Sequence, residues 1–454
     1  MGLPLNHADL PPVPPFRKLL GPSFILLGLG LGSGEIILWP YLTSNYGLDI
    51  VWAILAGVTL QFFINMEVER YALIYGESIF VGFARWLRLL PLWFIISTFL
   101  GFGWPGIGLA GAELLFHATD ALSIKIVGVL VFVLIGAILS FGKILYHTVE
   151  TIQKTLILFG TPFILVLAVY FSSVTDWGAL FSGLVNFGFL PRDIPLATFL
   201  AALAYSGAGG NLNLAQSFYV RDKGYGMGAY AQKIKSLFTS STHIRLTGST
   251  FPLTSDNLTR FKTWWRTVNL EHLFVFWLLG LVTMLMLALL AYSTTHLSPG
   301  NSQGINFVLN ESSHIGARTL PLLGTVFLII TGLMLSTTQL TVLDSTSRII
   351  TENILLWRKT HTAHVSKLYY TVLWSQIAFG VLVILAGFTQ PRQLITIGAV
   401  INAFSMLVYT GLIFYLNNAR IPAPLRPSFF RNLILVAIFI FLAFFCFKII
   451  PLTF

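Results

Sequence analysis

Eleven apolar runs, each about 20 residues or longer and separated by polar stretches, dominate the sequence. That is the length an α-helix needs to cross the hydrocarbon layer, where every backbone N–H and C=O must be satisfied within the segment. The spans fall at residues 20–41, 49–68, 91–115, 123–141, 153–171, 194–217, 270–292, 320–343, 368–388, 393–416 and 429–450. Charged residues are 10% of the 454, against about 25% in soluble domains. The expected class is an all-α integral membrane protein with the lipid bilayer as its first partner. The net charge of +10 comes from Lys and Arg in loops, so it carries no argument for nucleic acid. A single cysteine, Cys446, excludes an intrachain disulfide and a multi-cysteine metal cluster.

Basic residues crowd into alternate loops: Arg17 and Lys18, then Arg70, Arg85 and Arg88, then the long stretch 221–268, then Arg358 and Lys359. The positive-inside rule therefore predicts a cytoplasmic N-terminus and an extracytoplasmic C-terminus, in a plasma membrane of the bacterial inner-membrane type. Residues 1–19 read as a cytoplasmic tail, 20–171 as a first five-span repeat and 172–193 as an extracellular loop. Residues 194–416 read as a second repeat containing the basic cytoplasmic loop 221–268, and 429–450 as an added eleventh span.

Two spans break the rules of a lipid-crossing helix. Span one carries Gly28, Gly30, Gly32, Ser33, Gly34 and then Glu35. Glycine weakens a helix interior by about 1 kcal/mol, and a carboxylate at this depth costs at least about 2.5 kcal/mol. Span six carries Tyr205-Ser206-Gly207-Ala208-Gly209-Gly210-Asn211-Leu212-Asn213, then Gln216. The two clusters lie five spans apart, where five-span inverted repeats place their discontinuous helices. Unwinding at residues 30–34 and 207–211 is expected to expose backbone carbonyls to a cavity at mid-membrane.

At these breaks the chain resembles the Nramp divalent-metal transporters. The stretch 20–40, LGPSFILLGLGLGSGEIILWP, is similar to that family's first span, and residues 331–355 resemble its Ser/Thr/Gln-rich eighth span. The resemblance implies an eleven-span LeuT-like fold of the APC superfamily, a 5+5 inverted repeat with discontinuous helices one and six. The departures are specific. The family's Asp-Pro-Gly-Asn, whose Asp and Asn bind metal, is here Gly32-Ser33-Gly34-Glu35. Its Met-Pro-His in span six is Gly209-Gly210-Asn211, and its Asp-Leu-Ala-Glu in span three is the stretch FGWP at 102–105. The chain thus looks like a divergent relative in which the soft thioether and the proton-linked acids are missing.

Glu35 is the leading cation ligand, since no Lys or Arg lies between positions 19 and 69 to pair with it. Asn211 is its candidate partner on the metal. Gly32, Ser33, Gly207, Gly209, Asn213, Gln216 and Asn402 complete the expected substrate site. Glu113, Glu67, Arg70, Gln339, Asp344 and Arg348 are candidate gate or supporting residues; Asp344 and Arg348, four apart, are placed to pair on one helix face. No histidine pair or nucleotide-binding glycine loop occurs within a span, so neither an enzyme nor a resident cofactor is expected. The reading is a monomeric secondary transporter of a divalent cation by alternating access. Mg2+ or Mn2+ is favoured over Fe2+ or Zn2+ by the oxygen-only donors, with weak or no proton coupling. The alternative is a LeuT-like transporter of a small organic solute such as an amino acid or an amine, with Glu35 holding the ammonium.

Overall fold

The computed structural model describes residues 5–119, 123–141, 145–232, 244–301, 305–360, 362–363, 365–387 and 391–453. Ten helical segments among them are long and apolar enough to cross a membrane. They are Pro22–Tyr46, Leu48–Tyr75, Leu90–Thr119, Ile124–Phe141, Leu145–Phe171, Ser255–Thr295, Pro321–Trp357, Val365–Leu385, Pro391–Ala419 and Phe429–Lys448. They are spans one to five and seven to eleven. The expected eleventh, span six, falls outside this set because its helix stops. Leu196–Ala204 is α-helical, residues 205–209 are not, Gly210–Ala215 forms 3-10 turns and Gln216–Lys223 resumes the α-helix. Gly209 and Gly210 take left-handed φ of 73° and 45°, a region open to glycine at little steric cost.

Span one departs from expectation. It does not unwind at 30–34; it passes from α-helix (Pro22–Gly30) through a π-helix (Leu31–Leu38) back to α-helix (Trp39–Tyr46). The N–H of Trp39 reaches the carbonyl of Gly34, five residues back. Such π stretches are rare and concentrate at functional sites. The glycines here serve approach more than unwinding. A Cβ at Gly34 would lie 1.8 Å from the carbonyl oxygen of Tyr205, and one at Gly30 would lie 3.0 Å from Gly207. Span one therefore rests backbone to backbone on the break in span six, and its neighbours keep it helical.

A third irregularity interrupts span three, whose α-helix stops at Phe102 and restarts at Gly106. Pro105 supplies no N–H and the residue before it is biased away from helix. Span eight packs along both halves of span three, span ten along the first half of span six, and the π stretch against spans six, seven and eight. Two long helices exceed their expected limits. Span seven begins at Ser255, so residues 255–268, expected as loop, are its polar first turns, capped by the Thr254 hydroxyl accepting from Asn257 N–H. Span eight runs on to Trp357 because its charged residues are paired inside the bundle.

The segment before span one is also tied down. Asn6–His7 pairs in parallel with Ser249–Thr250, Leu10 is fully buried, and Trp264 Nε1 donates to the Pro11 carbonyl at 2.8 Å.

The close approach yields a contrast. Gly34→Ala forces the span one–span six contact apart and is expected to lower the thermal midpoint in detergent, at a cost of about 1–3 kcal/mol. Gly178→Ala, in the helix Val174–Val185 with nothing within 4 Å of its Cβ position, is expected to leave the midpoint unchanged or raise it. Equal midpoints for the two variants would refute the backbone-to-backbone contact.

Candidate functional site

The breaks free backbone groups, and buried side chains take them up. Gln61 of span two donates from Nε2 to the Ala204 carbonyl at 3.0 Å and accepts from the Gly209 N–H at 3.0 Å, bridging the break in span six. Asn402 of span ten donates to the Gly101 carbonyl at 3.1 Å, where span three stops, and to the Tyr205 hydroxyl at 2.8 Å. Gln339 of span eight accepts from the Gly108 N–H at 3.0 Å, where span three restarts. Thr338 donates to the Gly28 carbonyl at 2.9 Å. Asn402 and Gln339, expected as cavity wall and gate, thus hold the irregular backbone. Gln61 is not among the residues the sequence pointed to; its signal there is an amide inside an apolar span, one it shares with Asn65.

Four of the amides share a polarity. Asn211 spends its NH2 on Ser97 Oγ (2.8 Å) and Thr98 Oγ1 (2.9 Å), Asn213 on the Tyr409 hydroxyl (2.9 Å) and Gln216 on Glu69 (3.3 Å). The carbonyl oxygens of Asn211, Asn213, Gln216 and Asn402 have no donor, and all four residues are fully buried. Asn402 has its orientation set by the Gly101 carbonyl, which can only accept. The result is a membrane interior rich in unsatisfied acceptors.

Glu35 sits on the π stretch, one residue after the Gly34 that rests on Tyr205. Its side chain is 0% exposed and neither carboxylate oxygen has a hydrogen-bond partner. A buried carboxylate left this way is costly unless a proton or a cation joins it. Gly32 faces Thr338 of span eight and Gly207 faces Gly30 and Gln61, so both serve packing at the junction. The side chain of Ser33 lies outside the described residues. Glu113 is half-buried in the second part of span three, with Oε2 unpartnered. Among the described residues no group of three or more His, Cys, Asp or Glu side chains is placed to hold a metal ion.

The other charged candidates gather in two ion networks away from Glu35. Arg70 binds Glu67 through two nitrogens (2.6 and 3.1 Å) and donates to the Leu425 carbonyl; Arg431 adds to Glu67 at 3.2 Å. The guanidiniums of Arg70 and Arg431 lie 3.8 and 4.8 Å from the ring centroid of Trp265. In the second network Arg348 pairs with Asp344 (2.9 Å) and Asp222 (2.5 Å), and Arg221 joins Asp222 to Glu352, which accepts from Ser78. Tyr219 and Tyr369 both donate to Asp344. The expected Asp344–Arg348 pair is thus one link in a chain joining the second half of span six to spans eight and nine.

No family model and no curated protein sequence matches the chain. Solved structures do match over nearly its whole length. A manganese transporter of Eremococcus coleocola, solved with an aromatic bis-isothiourea compound, aligns with 98% of this chain and 89% of its own, at 13% identity and a TM-score of 0.65. MhsT, solved with L-phenylalanine, aligns over 95% and 98% of the two chains at 15% identity and a TM-score of 0.57. Mhp1, a nucleobase-cation-symport-1 family transporter solved with bromovinylhydantoin, gives 99% and 93%, 13% and 0.58. The chain has the LeuT-like transporter fold, and the relationship to the Nramp-type structure is a distant one at the level of fold.

Gln61→Leu leaves the Ala204 carbonyl and the Gly209 N–H buried and unpaired. At about 1–3 kcal/mol for each such group, the thermal midpoint in detergent is expected to fall by more than for Gly34→Ala. An unchanged midpoint would mean that the break in span six is held by other contacts.

Proposed function

We propose that the protein is a secondary transporter that carries a hard divalent cation, Mg2+ or Mn2+, across the membrane by alternating access. The cation binds where the π stretch of span one meets the break in span six. The observation that carries this reading is the donor inventory. Glu35 brings two carboxylate oxygens without a partner, and Asn211, Asn213 and Asn402 bring amide oxygens without a donor. Oxygen donors suit Mg2+ and Mn2+; sulfur and imidazole would favour softer or later transition metals. Glu35 neutralises one of the two charges, and Mg2+ characteristically retains several waters rather than demanding an all-protein cage. The position corresponding to the family's thioether is Gly209. A Cβ there would lie 2.6 Å from the Tyr205 ring and 2.7 Å from the Ala204 carbonyl, so the site excludes a sulfur side chain at that point.

The two ion networks fit gates. Each ties several spans together through buried charges, and breaking one partner of such a pair typically costs about 3–5 kcal/mol. The family's acids are missing at 102–105, and weak or absent proton coupling is the corresponding expectation.

A second reading has one observation in its favour. Trp39, whose Nε1 donates to Ser206 at 2.9 Å, and the Phe102–Tyr205 ring pair at 5.9 Å line the junction with aromatic surface. An organic ammonium would be matched one for one by Glu35 and would rest on those rings.

Reconstitution into liposomes separates the readings. The parent protein is expected to take up Mn2+, competed by Mg2+ and poorly by Zn2+, and Glu35→Gln to reduce uptake to the level of protein-free vesicles. Gly209→Met is expected to fail to fold, because the Tyr205 ring and the Ala204 carbonyl occupy the space its side chain would need. Absent Mn2+ and Mg2+ flux, together with Glu35-dependent uptake of an amine or amino acid from a screened panel, would replace the first reading by the second.

A further inference from the structure

A second buried carboxylate stands without a counter-charge, in span two. Glu69 is 0% exposed, and no Lys or Arg among the described residues pairs with it. One oxygen accepts from Gln216 Nε2 at 3.3 Å and the other has no partner. One turn earlier, Asn65 is fully buried with both amide atoms unpartnered. The Oε1 of Gln216 is unpartnered as well.

These residues converge because of helical spacing. Gln61, Asn65, Glu69 and Leu73 recur every four residues on one stripe of the unbroken helix Trp52–Tyr75. Gln61 binds the break in span six, Glu69 binds Gln216 just beyond it, and Leu73 packs against Gly226 further on. Asn65 lies between two residues that face span six and so faces it too. The ionisable groups that act on Glu69 from neighbouring elements are Glu271 and Tyr225. Glu271 is already engaged. It accepts from the Gly21 N–H at 3.5 Å and from the Ser23 hydroxyl, which also meets His272 Nδ1 at 2.8 Å, and so caps the start of span one. It adds negative potential near Glu69 and supplies no neutralising partner.

We propose that Asn65, Glu69 and Gln216 form a binding site for a monovalent cation of the Na+ class, separate from Glu35. The free groups of Glu69 and Gln216 are oxygens, which excludes an anion. The site offers one negative charge and neutral amide oxygens, which a monovalent ion balances. An ion held here ties span two to the half of span six beyond the break, the joint that alternating access has to work. The site stands independently of what Glu35 binds, because its ligands come from spans two and six and none from span one.

The test is radiolabelled Na+ binding to the purified full chain in detergent with choline as the replacement ion, paired with the thermal midpoint in Na+ and in choline. The parent is expected to bind Na+ saturably and to melt higher in Na+. Glu69→Gln is expected to lose both effects while keeping a monodisperse elution and a cooperative melt in choline. Asn65→Leu removes only a neutral ligand and stands in should Glu69→Gln not fold; it is expected to weaken Na+ binding about tenfold, the worth of one contact of about 1.4 kcal/mol. Three results would overturn the proposal: no saturable Na+ binding by the parent, binding unchanged in both variants, or a midpoint that follows pH but not Na+, which would assign a proton to Glu69.

Discussion

In hydrocarbon a backbone N–H or C=O without a partner costs several kcal/mol, and the architecture follows from how this chain meets that cost where its helices fail. Span six stops at 205–209, span three at 103–105, and span one loosens into a π turn at 31–38. Each irregularity is met by a polar side chain from a different helix: Gln61 from span two, Asn402 from span ten, Gln339 and Thr338 from span eight. The breaks are thus joints built by several helices, and the polar residues of the interior divide into those that build the joints and those left over.

Much of what is left over is acceptor oxygen. The amides of Asn211, Asn213, Gln216 and Asn402 use their NH2 groups on protein acceptors and leave their oxygens free. With the unpartnered oxygens of Glu35 and Glu69, the interior is poised for positive charge. The contrast with the ion networks is instructive. Arg70, Arg221, Arg348 and Arg431 each sit on carboxylates, so their charges cancel locally and hold helices together. Among the described residues neither Glu35 nor Glu69 has such a cation. Paired charges fit structure and gating; the unpaired carboxylates are where a mobile cation has a reason to bind.

Much of this was legible in the sequence. Apolar run length predicted the spans, and the glycine-amide cluster located the break in span six, because glycine and proline act through local backbone geometry. The Asp344–Arg348 pair followed from i, i+4 spacing, again a local rule. Hydropathy missed residues 255–268 and the far half of span eight as helix, since polar residues there are stabilised by partners a window average does not see. The GWP interruption in span three was overlooked for a related reason: its signal is one proline, and its consequences lie in spans eight and ten.

The sequence by itself determined the membrane class, the number of crossings and the oddity of Glu35, since those depend on length, polarity and chain-local conformation. Only the tertiary structure decided that the glycines of span one permit contact with span six instead of unwinding. The choice turned on a carbonyl from residue 205 lying where a Cβ at residue 34 would be. It likewise decided which amides are joints and which are free acceptors. An amide's role depends on the partner that its NH2 finds, and those partners lie more than a hundred residues away in the chain.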